Sequence, residues 1–132
     1  MTTQSIRVGV VGVGYLGAIH ARIYAAMPGV ELMGVTDIDA YAATRVAEEC
    51  GCSAYNEPEA LPDKADAVIT VVPTSSHRLV AEPYLRNGMH VLLEKPIADH
   101  LTNARAVVKA AEETGVILKI GHLERFNAGV VR

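Results

Sequence analysis

The sequence predicts an α/β protein, a doubly wound parallel sheet of six strands with helices on both faces. Three observations predict it. Short β-branched apolar runs alternate with longer segments of helical periodicity, the pattern of βαβ units. The fourth apolar run is almost continuous, as in a central strand covered on both faces. A glycine-rich turn follows the first run and opens the first helix. With 132 residues, half of them hydrophobic, the chain has the size of one domain and enough apolar mass for a core.

Strand one is expected at Ile6-Arg7-Val8-Gly9-Val10-Val11. A helix follows, with Leu16, Ile19, His20, Ile23, Tyr24 and Met27 on one face at three- and four-residue spacing, stopped by Met27-Pro28-Gly29. Strand two spans residues 30–36, and residues 39–50 read as a helix ended by Gly51. A short strand is expected near Ser53-Ala54-Tyr55. Strand four covers residues 67–72, with one threonine, and Pro73 ends it. Residues 75–87 read as a helix that Pro83 should kink or restart, closed by Asn87-Gly88. Strand five runs over residues 89–93. Thr102 is the expected N-cap of a helix reaching Thr114, with Gly115 as its C-cap. Residues 116–120 form strand six. Six strands and five crossovers fit a doubly wound sheet.

Charge narrows the function classes. Charged residues make up 20% of the chain and the formal net charge is −3, which excludes a polybasic binder of nucleic acid or of a membrane surface. An acidic domain can still hold an anionic cofactor where backbone N–H groups supply the positive field. Cys50 and Cys52 are too few for a disulfide framework, and their one-residue spacing is not that of a metal knuckle; they read as reduced thiols at a helix end. No His/Asp/Glu/Cys cluster has metal-ligand spacing, and no serine or cysteine sits in a nucleophile elbow. The N-terminus lacks the regions of a signal peptide, and no apolar run approaches the ~20 residues of a membrane span. The expectation is a soluble, cytoplasmic protein.

Strand one runs into Gly12-Val13-Gly14-Tyr15-Leu16-Gly17, a G-x-G-x-x-G between strand and helix. Gly12 permits the tight turn, Gly14 lets a pyrophosphate approach the backbone, and Gly17 lets helix and strand pack; the helix N-terminus then donates N–H groups to phosphate. Alone the motif is weak. Asp37 strengthens it, 20 residues beyond Gly17 and at the end of strand two, where a carboxylate accepts hydrogen bonds from a ribose 2′-OH and repels a 2′-phosphate. NAD is therefore expected, with NADP disfavoured. The bland reading of Asp37 is a residue that caps the next helix or ends a strand.

Ligands of open parallel sheets bind at the carboxyl ends of the strands. Three patches fall there: Pro73-Thr74-Ser75-Ser76-His77, Glu94-Lys95-Pro96, and Gly121-His122-Leu123-Glu124-Arg125-Phe126-Asn127. A lysine there can hold or donate a proton as a carbonyl becomes an alcohol, which calls for partial burial or neighbouring cations. Glu94 would oppose this if it faced Lys95, so it is expected to point away or to bind something else. The bland reading of Lys95 is an exposed loop lysine. His77 either contacts ligand or sits in the first turn of a helix. His20, on the apolar face of the first helix, reads as a satisfied core histidine, and His90 and His100 as surface or packing residues.

In order and spacing, these motifs resemble the glucose–fructose oxidoreductase/inositol dehydrogenase family across nearly the whole chain. Glu94-Lys95-Pro96-Ile97-Ala98 is the most specific part. The stretch over residues 121–127 is similar to members that oxidise nucleotide-linked sugars such as UDP-N-acetylglucosamine derivatives. The resemblance implies that Lys95 is catalytic, near both nicotinamide and substrate. It implies that Gly12, Gly14, Tyr15, Leu16, Gly17 and Asp37 hold the dinucleotide, with Pro73, Thr74, His77, Glu94 and Lys95 at its nicotinamide end. Arg125 and Asn127 would face an interdomain cleft, and the Lys95-Pro96 bond would be cis. Residues 1–121 would be the dinucleotide-binding domain and 122–132 the start of a connection to a second α/β domain that supplies most substrate contacts and the oligomer interface.

On that resemblance the chain is expected to be a piece of an NAD-dependent oxidoreductase, weak in NAD binding and inactive alone. Its parent would be a homo-oligomer that moves hydride between the cofactor and a hydroxyl carbon of a sugar, nucleotide-sugar or cyclitol. The tail over residues 123–131 would pack back on the sheet or mediate association. The competing readings are a non-catalytic NAD sensor or regulatory module, another two-domain reductase such as a dihydrodipicolinate or biliverdin reductase relative, and an interaction module with a degenerate site.

Overall fold

The computed structural model describes residues 5–56, 61 and 65–121. Their backbone forms one six-stranded sheet in the order β3-β2-β1-β4-β5-β6, with every neighbouring pair parallel. The strands are β1 (Ile6–Val11), β2 (Val30–Thr36), β3 (Ser53–Tyr55), β4 (Ala67–Thr70), β5 (His90–Glu94) and β6 (Leu118–Gly121). The helices are α1 (Tyr15–Ala26), α2 (Ala40–Cys50), α3 (His77–Arg86) and α4 (Leu101–Thr114). The strand order reverses between β1 and β4, so the loops after these two strands diverge and leave a crevice at the carboxyl end of the sheet.

The two-residue period of the strands sends alternate side chains to two cores. Val8, Val10, Val35 and Ile69 meet Ala18, Ala21, Ala43 and Val46 of α1 and α2. Val68, Val91 and Leu93 meet Ala81, Leu85, Val107 and Ala110 of α3 and α4. The lone threonine of β4, Thr70, is fully buried and donates from Oγ1 to the carbonyl of Leu92 at 3.3 Å.

Several sequence expectations shift. The fourth strand ends at Thr70, two residues early, although Val71 N–H still donates to Val11 O at 2.7 Å. The predicted face of α1 is only half right. Gly17, Ala18, His20 and Ala21 are its buried residues, while Ile23 and Met27 are exposed. The helix lies so close to β1 that small residues fill the gap, and the larger ones splay to its sides. Pro83 lies inside α3 without dividing it. The carbonyl it leaves unbonded belongs to Leu79, on the exposed face, where water can take the place of the missing donor. The N-cap of α4 is His100, with no side-chain cap bond, rather than Thr102.

Candidate active site

The turn after β1 carries Gly12, Gly14 and Gly17, and the three glycines have different physical reasons. Gly12 has φ +92, and a Cβ there would collide with the carbonyl of Val71 after β4. A Cβ on Gly17 would collide with the carbonyl of Gly12. Both positions are glycine because the chain packs against itself. Gly14 has φ −66 and ψ −158, a backbone any residue adopts, and a Cβ there would meet nothing within 4 Å. Among the described residues no neighbour requires glycine at this position; open space directly above the turn is what a close-approaching ligand needs. Gly14 is also the N-cap of α1, with no side-chain cap bond and no acidic residue in the first turn. The first N–H groups of α1 therefore have no capping side chain and face a site suited to an anion.

Asp37, at the end of β2, accepts from Val13 N–H at 2.7 Å and from Asp39 N–H at 2.8 Å. One carboxylate thus ties the glycine turn to the end of β2. Each oxygen keeps lone-pair capacity beyond these bonds. Asp37 does not cap α2; Asp39 does, accepting from the N–H groups of Tyr41 and Ala42. Beside Asp37, Ile38 is 100% exposed, and Tyr15 and Tyr41 are also strongly exposed. Ile38 escaped the sequence reading; the available signal was an isoleucine alone between two aspartates.

The segment after β4 begins with Pro73, whose carbonyl accepts from Ser76 N–H at 2.8 Å to start a 3₁₀ turn over Thr74–Ser76. His77 opens α3 and is 1% exposed. Its Nδ1 lies 3.2 Å from the carbonyl of Ile97 and its Nε2 3.1 Å from that of Val72. A neutral ring carries one N–H and donates to one of these carbonyls; a protonated ring donates to both. Either way the ring bridges the end of the β4 segment and the loop after Lys95. The structure thus brings together the turn after β4 and the loop after β5.

Lys95 follows β5 as an exposed residue. Its N–H donates to Gly121 O at 3.3 Å, and its bond to Pro96 is cis. Glu94 faces α1. Its Oε1 lies 3.3 Å from Nε2 of His20, and the side chains are 15% and 9% exposed. His20 is not the satisfied core histidine of the sequence reading, because its Nε2 is buried without a hydrogen bond. Tyr24 stacks on the ring, with centroids 6.2 Å apart and planes at 17°. Burial, and then the charge of Glu94, hold the Tyr24 hydroxyl above its ordinary pKa. Leu16 lies half-buried in the first turn of α1.

The expected Arg125 and Asn127 lie outside the described residues, as does the tail over residues 123–131. Among the described residues no group of three or more His, Cys, Asp or Glu could hold a metal, and no helix is long and apolar enough to cross a membrane. Cys50 and Cys52 are free. Burial, with a smaller contribution from Cys50, pushes the Cys52 thiol up to about 11, the behaviour of a packed rather than a reactive thiol.

A family model described as an oxidoreductase family with an NAD-binding Rossmann fold matches residues 6–122. A UDP-N-acetylglucosamine 3-dehydrogenase of Acidithiobacillus ferrooxidans is 42% identical over 125 residues, which cover 95% of this chain and 39% of that protein. A scyllo-inositol 2-dehydrogenase (NAD(+)) of Bacillus subtilis is 36% identical over 128 residues, covering 94% and 37%. Among solved structures, the WlbA dehydrogenase from Chromobacterium violaceum, in complex with NADH and UDP-GlcNAcA, superposes with a TM-score of 0.89 at 28% identity, over 98% of this chain and 39% of that one. The chain thus spans about two fifths of the length of these relatives.

Proposed function

The chain belongs to the oxidoreductase family with an NAD-binding Rossmann fold typified by glucose–fructose oxidoreductase and inositol dehydrogenase, and on that premise we propose that it is the cofactor-binding part of an NAD-dependent sugar, nucleotide-sugar or cyclitol dehydrogenase. The observation that carries the reading is the open space above Gly14 at the uncapped N-terminus of α1. The residues present fit a dinucleotide. Gly12, Gly14, Tyr15, Leu16 and Gly17 form its pyrophosphate cradle. The spare lone pairs of Asp37 accept the 2′-OH of the adenosine ribose, and its charge disfavours NADP. Exposed Ile38 offers an apolar surface to the adenine ring.

Pro73, Thr74, His77, Glu94 and Lys95 define the nicotinamide end. A bound NAD would supply a hydride acceptor for the carbon that bears the substrate hydroxyl. Lys95, at the carboxyl end of β5, handles the proton of that hydroxyl. His77 acts from inside the protein, bridging the two loops that flank the nicotinamide. Residues 1–121 are read as the dinucleotide domain and 122–132 as the start of a connection; the family match over residues 6–122 supports that boundary. Arg125 and Asn127 are assigned to the substrate side, and the parent enzyme is read as a cytoplasmic homo-oligomer. The family resemblance supports these last assignments. The relatives favour a sugar-type substrate: one is named for UDP-N-acetylglucosamine, another for scyllo-inositol.

Isothermal titration of the chain with NAD and NADP tests the reading. NAD is expected to bind in the micromolar to millimolar range and NADP more weakly. Asp37→Ala should narrow the difference, and Gly14→Val should abolish both signals. Folded protein that binds neither dinucleotide would overturn the proposal.

A further inference from the structure

We propose that His20 and Glu94 form a buried positioning pair that locks the segment carrying Lys95 onto the pyrophosphate-binding helix. The inference rests on the dinucleotide reading above and deepens it. A buried ring nitrogen without a partner is unfavourable, and Nε2 of His20 is one. The Glu94 carboxylate stands 3.3 Å from it, within ion-pair reach but without hydrogen-bond geometry. A nitrogen held so close to a carboxylate oxygen is favourable only if it carries the proton. Small movements of α1 or of the end of β5 would complete the bond.

The surroundings are built for this contact. Tyr24, one turn along α1, stacks on the imidazole and fixes its plane. Gly121 of β6 leaves room for the carboxylate, since a Cβ there would stand 3.2 Å from Glu94 Oε1. Gly121 O also accepts from Lys95 N–H, so one residue of β6 accommodates Glu94 and holds the backbone of Lys95. His20 lies on the same helix as Gly17, three residues on, and Gly17 lets α1 sit directly against Gly12. A single rigid helix therefore touches the pyrophosphate at one end and, through His20, the residue next to Lys95. His20 needs no contact with the cofactor to act; it sets where the nicotinamide end of the site lies.

Two measurements on this chain test the pair. The first is long-range ¹H–¹⁵N correlation of the histidine rings. His20 is expected to carry its proton on Nε2, and Glu94→Gln should move that resonance. A bare Nε2, or a resonance indifferent to Glu94→Gln, would overturn the pairing whether or not NAD binds. The second compares NAD with ADP-ribose, which lacks the nicotinamide, in variants checked for an intact thermal transition. His20→Leu should weaken NAD by roughly tenfold, the scale of one charge-assisted hydrogen bond, and leave ADP-ribose within about twofold. His20→Gln, whose amide nitrogen can occupy the place of Nε2, should restore NAD. Equal losses for both ligands would reduce His20 to packing of α1, and no loss for either would remove its role in positioning; both outcomes overturn the proposal. Failure of the unaltered chain to bind either ligand would sink the dinucleotide reading instead, with the ring spectra still deciding the pair.

Discussion

Gly14 and Gly17 sit three residues apart in one motif and answer to opposite demands. A side chain at 17 strikes the Gly12 carbonyl, whereas one at 14 projects into open space. Gly17→Ala is therefore expected to cost about 3 kcal/mol or more through forced displacement of backbone, seen as a lower urea midpoint. Gly14→Ala should leave stability within about 0.5 kcal/mol and show its effect only in NAD titration. A large stability loss in Gly14→Ala would mean that the glycine serves the fold and would weaken the binding assignment. The motif as a string does not separate the two roles, because the separating quantity is the distance to a neighbouring backbone. The same holds for the histidines. His20 reads as a core residue on the apolar face of one helix, and His77 as a ligand contact or a first-turn residue of another. Only the fold shows one aimed at Glu94 and the other spanning two carbonyls.

At the scale of elements, the helix starts divide into those a side chain sets and those packing sets. Asp39 accepts from two N–H groups at the start of α2, so Asp39→Ala should cost about 1 kcal/mol. Thr102 had the right chemistry for a cap, but α4 begins at Leu101 and Thr102 lies inside its first turn. Thr102→Ala should then be neutral or slightly stabilising, since alanine is the better helix former. Thermal unfolding of the two variants checks both statements, and a loss in Thr102→Ala comparable to that of Asp39→Ala would restore the threonine as a cap. Strand existence was legible from the period of the apolar runs. Strand ends were not: β4 stops at Thr70, where its pairing with Val11 and Leu93 ends, although the apolar run continues through Val71 and Val72.

Across the whole molecule, stability rests on two cores separated by one sheet. Leu93 is fully buried in the core under α3 and α4, and Leu93→Ala should cost roughly 2–5 kcal/mol in urea unfolding. Ile117→Ala, at an exposed position, should stay within about 0.5 kcal/mol. The pH dependence follows from two sets of groups. Hydrogen bonds from Arg22, Arg7 and Arg86 hold Glu49, Asp66 and Glu113 below their ordinary values of 4.5, 3.8 and 4.5. Their contribution is present above those values and is lost as pH falls through the depressed ones. Cys52 is shifted the other way, from 9.0 to about 11. Its contribution is complete below pH 9.0 and lost as pH rises toward 11. The urea midpoint of the protein should fall over that alkaline interval, and Cys52→Ala should flatten the fall. An unchanged slope would show that the thiol is not the group responsible.

The sequence by itself determined the class of sheet, the number of strands, the glycine turn, the acidic residue at the end of β2 and the lysine at the end of β5. These are local facts: periodicity of two or 3.6 residues, glycine where the backbone turns, and charge at a strand terminus follow from neighbouring residues along the chain. Tertiary structure alone decided the rest. It decided that α1 buries its small residues rather than its large ones, that a side chain at position 14 would meet open space, and that His77 joins two loops. It also placed Glu94, 74 positions from His20 in sequence, 3.3 Å from its ring. Each of these depends on how closely two distant segments approach, a quantity set by the packing of helices on an open sheet and written in no single stretch of residues.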